Sequence, residues 1–208
     1  NGTTLVTQTS AQAVRLTQTG AGPVTWTATS NRQWLQVTPA SGSGSANFSI
    51  SVASIGALPA SGSVAGAITL SFTGAGNSPG PIAVTLTTKL HGTSGGPFGF
   101  VDTPTDLQTG VTGAVPFTGW ALDDVEVARV SVCRAPFGAE VAPIDPNCGG
   151  FAQIFVGFAV FIDGARPDVA GSYPAYPANT KGGWGFMVLT NMLPSQGNGT
   201  YVFQMWAH

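Results

Sequence analysis

Four runs in the first ninety residues repeat with a period of two. Val24, Trp26 and Ala28 fall on one side of a chain whose other side carries Thr25, Thr27 and Thr29. Phe48, Ile50 and Val52 alternate with Asn47, Ser49 and Ser51; Ile68, Leu70 and Phe72 alternate with Thr69, Ser71 and Thr73. Ile82, Val84 and Leu86 alternate with Ala83, Thr85 and Thr87. Only an extended strand puts every second side chain on one face, so these runs predict antiparallel strands with one face buried and a Ser/Thr face in water. Turn clusters part them at Ser41–Gly44, Pro59–Gly62 and Gly76–Pro81. Gly (29) and Pro (15) are abundant, which supports short strands and tight turns over long helices.

The remaining residues hold longer apolar runs. Val111 to Trp120, Val125 to Cys133, Phe151 to Ile162, Gly185 to Leu189 and Tyr201 to Trp206 are the expected strands. Charge divides the chain at the same place. Residues 1–90 carry Arg15, Arg32 and Lys89 and no acid, whereas residues 91–208 carry nine acids against four cations. His91 to Pro97, rich in Gly and Ser, reads as a short flexible linker. The expected organisation is a domain over 1–90, a linker over 91–96 and a second domain over 97–208.

Two stretches resemble known families. Trp26 to Ser30, then Trp34-Leu35-Gln36-Val37-Thr38-Pro39-Ala40-Ser41-Gly42-Ser43-Gly44, then the strand at Phe48 to Val52, resemble a BACON domain. That resemblance implies an immunoglobulin-like sandwich from bacterial extracellular proteins, often beside carbohydrate-active enzymes. The second half, with Phe100 to Pro104 and Gly119-Trp120-Ala121-Leu122-Asp123-Asp124, resembles bacterial immunoglobulin-like modules of large secreted and surface proteins. Gly164 to Val169 and Gly183 to Phe186 belong to the same resemblance, which implies spacer, adhesive or accessory roles. The expected fold is therefore all-β, two tandem immunoglobulin-like β-sandwich domains.

Cys133 and Cys148, fifteen apart in a Gly/Pro-rich stretch, read as a disulfide; the other reading is two buried thiols. A disulfide places the chain in an oxidising, extracellular or cell-surface setting. The chain is read as a piece of a longer secreted or surface protein, with its signal sequence elsewhere. A net charge of −2 speaks against nucleic acid as a partner, and no apolar run nears a membrane span of about 20 residues.

Candidate sites are few. Tyr173, Tyr176 and Trp184 are assigned to a Pro/Gly loop, where aromatics either stack on sugars and protein partners or fold back over the domain end. Arg166, in Arg166-Pro167-Asp168, is expected to form a bidentate carboxylate pair that pins that loop; a ligand role is the other reading. Asp123 and Asp124 read as an Asx-turn pair, the alternative being Ca²⁺ ligands completed by Asp102, Asp106 or Glu126. Trp26, Trp34 and Trp120 are expected in cores, with Trp120 against the disulfide. Neither His91 nor His208 is placed beside a Ser or Cys nucleophile, so no catalysis and no cofactor is expected. The functional expectation is a non-catalytic spacer or adhesion module touching polysaccharide or a cell-surface protein. The alternative is a carbohydrate-binding module built on the Tyr173/Tyr176/Trp184 region.

Overall fold

The structure, a computed structural model, describes residues 5–53, 58–90 and 92–208. It is all-β apart from one short helix and a few 3-10 turns. The chain divides into two compact units, Asn1–Ser94 and Gly95–His208. His91 lies outside the described residues.

In the first unit the strands are β1 (Gln12–Leu16), β2 (Thr25–Ser30), β3 (Leu35–Thr38), β4 (Ser41–Ser43), β5 (Ala46–Val52), β6 (Gly62–Thr73) and β7 (Ile82–Thr88). They form a three-stranded sheet, β1-β5-β3, and a four-stranded sheet, β4-β2-β6-β7. All pairings are antiparallel. Trp26 and Ala28 from β2, Leu35 from β3, Phe48 from β5 and Ile68 and Leu70 from β6 meet in one buried cluster with Trp34 and Leu58. Thr25, Thr27 and Thr29 face solvent, as their alternation requires. The Trp34 to Gly44 motif has a packing reason. Trp34 and Leu35 enter the core, and a Cβ on Gly42 would stand 2.5 Å from the Trp26 ring, so only glycine lets β4 lie over that indole.

The second unit contains β8 (Phe98–Thr103), β9 (Ala114–Leu122), β10 (Val130–Arg134), β11 (Ile144–Asp145), β12 (Phe151–Ala152), β13 (Ile154–Phe158) and β14 (Val160–Phe161). A helix, α1 (Pro167–Ser172), precedes β15 (Gly183–Leu189) and β16 (Phe203–Ala207). One sheet runs β14-β15-β9-β8 and the other β13-β10-β16, with β11 and β12 as a separate hairpin. Val115, Phe117 and Ala121 of β9, Val130 and Val132 of β10, and Trp184 and Val188 of β15 form its core.

Several sequence expectations change here. Phe151 to Ile162 is not one strand. It is β12, β13 and β14 in succession, and the chain passes from one sheet to the other at Ala159, whose amide donates to the Val130 carbonyl at 2.9 Å. A continuous apolar run hides this crossing because both sheets bury the same residue types. The helix α1 was not anticipated. Pro167 at its first turn and Asp168 near its N-terminus suit that place, and buried Val169 anchors it.

Candidate functional site

The outer face of the β14-β15-β9-β8 sheet gathers the aromatic and charged side chains that the core does not use. In β9 the inward residues are Phe117 and Ala121, so Trp120 between them points outward. In β8, Val101 contacts the core, which turns Phe98 and Phe100 to the outer side, with Phe100 opposite Trp120. The register of β8 against β9 slips between Val101 and Thr103, leaving Asp102 as the extra residue. Such a bulge re-aims a side chain, and here it presents the Asp102 carboxylate to Arg166.

Arg166 ties this face together. Its Nε and Nη2 donate to the two oxygens of Asp168 at 2.9 and 2.7 Å, and its Nη1 donates to Asp102. The guanidinium thereby links the β8 bulge to the start of α1. Hydrogen bonding from Arg166 lowers the Asp168 carboxyl from its ordinary range to about 2 and raises the Arg166 group in return. The side chain has room because residue 183 is glycine; a Cβ there would stand 2.9 Å from Arg166 Cγ.

Beyond α1 the loop folds back. Asn179 Nδ2 donates to the carbonyls of Ala170 and Tyr173, at 3.1 and 3.0 Å, and so closes the helix end. Tyr173 and Tyr176 then join Phe98 and Trp120 in a four-ring cluster. Centroids lie 5.6 Å apart for Phe98–Trp120, 5.4 Å for Phe98–Tyr173, 5.2 Å for Phe98–Tyr176 and 5.4 Å for Trp120–Tyr173. These are mostly edge-on contacts of the kind aromatic quadrupoles favour. Both tyrosines remain half-buried, and Phe100 beside them is 64 % exposed.

The structure thus brings Tyr173, Tyr176 and Arg166 to one face but not Trp184. Trp184 is a correction: it sits in β15, not in the loop, and is a core residue 4 % exposed on the opposite side of the sheet. Gly119 is glycine for its sake, since a Cβ there would stand 2.5 Å from the Trp184 ring. Trp120 is corrected as well, being half-buried among outer-face rings rather than in the core or on the disulfide. Phe98 and Phe100 were missed as members of this face, and Asp102 was considered only as a calcium ligand, not as a partner of Arg166. The period-two spacing Phe98-x-Phe100 just before a Gly-Trp strand carried the signal.

Asp123 and Asp124 act as backbone acceptors. Asp123 Oδ1 takes the Val125 amide at 2.7 Å, the Asx-turn, and Asp124 Oδ2 takes the Gly95 amide at 3.0 Å. Of the completing ligands considered for calcium, Asp102 is paired with Arg166, and among the described residues no group of three or more His, Cys, Asp or Glu side chains gathers.

On the other sheet, Cys133 of β10 is joined to Cys148, with Cα atoms 5.9 Å apart. The bond fastens the segment carrying the β11–β12 hairpin over the outer side of β10, whose five residues are all buried. Trp206, not Trp120, fills this region. It stacks on Phe151 at 5.1 Å, donates from Nε1 to Gln153 at 2.9 Å, and occupies the space a Gly149 Cβ would need. His208 shares a 3.1 Å hydrogen bond with the Asn147 carbonyl. Buried Arg134 donates twice to Glu140, at 2.6 and 2.8 Å, and the Phe137 amide donates to the same carboxylate at 2.8 Å. The Arg134 hydrogen bond, then the amide, brings Glu140 down to about 2.

The second unit is therefore an all-β domain whose surface loops are tied by a disulfide and paired ions. The first is an all-β domain with a two-tryptophan core. Residues 2–87 match the family model described as the viral BACON domain, so the N-terminal unit is BACON-like. The resemblance read from the motif pointed to bacterial proteins, whereas the matching model describes viral ones. No curated protein matches the chain. Among the described residues no helix is long and apolar enough to cross a membrane.

Proposed function

We propose that this chain is a non-catalytic extracellular spacer and adhesion module of a larger secreted or surface protein, built from two tandem immunoglobulin-like β-sandwiches. The observation that carries the reading is where the charged side chains go. Arg134, Glu140, Arg166, Asp102 and Asp168 are spent on tying loops to sheets. The Cys133–Cys148 bond supports an oxidising compartment. Two units, each with its own core, suit a spacer between neighbouring domains.

A second reading, a carbohydrate-binding module, is favoured by one specific observation: half-buried Tyr173, Tyr176 and Trp120 adjoin exposed Phe100 on a single face. Sugar rings stack on such aromatic surfaces, and Arg166 with its two carboxylates supplies polar groups at the edge. Affinity electrophoresis against a panel of neutral and acidic polysaccharides separates the readings. Unretarded migration on every polysaccharide supports the spacer. Retardation that disappears in Tyr173→Ala and Tyr176→Ala, with folding retained, supports the binding module.

A further inference from the structure

The two sheets of the second unit are joined along one side and open along the other. At Ala159 the chain itself passes from β13 to β14 and so links the sheets there. On the far side β8 ends one sheet and β16 ends the other, and no strand bridges them among the described residues. Residues of both edges and of the loops beside them line an apolar groove. Val101, Val111, Leu193, Phe203 and Met205 line it; they touch the core yet remain only partly buried. The charged residues among its described lining are Asp102 and Asp106. Asp102 is paired with Arg166, whereas Asp106, on the exposed loop after β8, faces that end without a cation among the lining residues.

Edge strands flanking an apolar gap are a template for an added strand. A peptide in β conformation supplies main-chain partners for the edges and a side chain at every second position for the gap. A lipid chain fills the gap but leaves both edges without partners.

We propose that the groove between β8 and β16 receives a β-strand donated by another polypeptide, with apolar side chains at alternate positions and a Lys or Arg at the end that meets Asp106. The acid at one end sets the direction of the incoming strand, because a like charge there would be repelled. The proposal does not depend on the sugar reading, since it needs neither Tyr173 nor Tyr176.

The full chain is extended past His208 by an Asn-Gly turn and a strand of about six alternating Val and Thr residues ending in Lys. Tethering raises the effective concentration to the millimolar range. The expected result is a rise of roughly 5 °C or more in the melting temperature of the second unit, with slowed amide exchange in β8 and β16. A control extension with Pro at two strand positions gives neither effect. Replacing the terminal Lys by Glu shrinks the rise, and Asp106→Lys in the chain reverses that preference. No shift with the Val/Thr strand, or equal shifts with the Pro control, overturns the proposal. Equal stabilisation of the unextended chain by oleate also overturns it, in favour of a lipid pocket.

Discussion

The first unit is held by its interior, whereas the second adds ties across its surface. Residues 1–90 contain no carboxylate side chain and no cysteine, so their strands depend on the Trp26, Trp34, Phe48 and Ile68 cluster and on backbone ladders. Even Arg32 is used this way, its Nε donating to the Ala65 carbonyl at 3.0 Å. The second unit has a comparable core, and three of its connections are fastened. Glu140 holds one loop, the Cys133–Cys148 bond another, and Arg166 with Asp168 the helix turn. Long connections that carry aromatic residues to a surface must be held in one conformation if that surface is to bind anything.

The largest expected effects test whether the units stand independently. Trp26→Ala should destabilise the first unit by about 3–5 kcal/mol and Trp184→Ala the second by as much. Calorimetry should show only the substituted unit's transition moving; movement of both would erase the distinction. Next, Cys133→Ser with Cys148→Ser, or reduction of the native chain, should cost the second unit about 3 kcal/mol and leave the first unchanged. Urea titration followed by tryptophan fluorescence reads this.

Close packing of glycines should weigh similarly in both. Gly42→Ala and Gly119→Ala each push a Cβ into an indole and should cost about 1–3 kcal/mol, measured as paired shifts in denaturant midpoint. Tyr173→Ala is expected to remove about 0.5–1.5 kcal/mol per lost ring pair from the second unit. The smallest effect is the pH response. Glu140 and Asp168 ionise at about 2 in the folded chain, against ordinary values of 4.5 and 3.8. Their contribution is complete above about pH 4.5 and is lost as pH falls toward 2. Melting curves across that window should show the second unit weakening on acidification. Glu140→Gln should flatten its response.

The first unit was legible because its alternation is strict. In β2, β5, β6 and β7 apolar residues alternate mainly with Ser or Thr, so period two stands out, and the Trp34–Gly44 motif adds a family signature; β1 (Gln12–Leu16) has no Ser or Thr and was not read. In the second unit both faces of several strands are covered, and alternation fades. All five residues of β10 are buried, and the Phe151 to Ile162 run conceals a change of sheet. The same loss of contrast misplaced Trp184. Gly182 and Gly183 before it look like loop sequence, yet Gly183 is there to admit Arg166 over the strand. The Arg166–carboxylate pair was readable from local spacing, but its second partner, Asp102, lies 64 residues away in sequence at a bulge that no local pattern announces.

The charge makeup of residues 1–90 has one more result. Arg15, Arg32 and Lys89 are the sole ionisable side chains there, with no Asp, Glu, His, Cys or Tyr. The side-chain charge of that segment at neutral pH is therefore wholly positive. All nine acidic side chains and both histidines lie in residues 91–208.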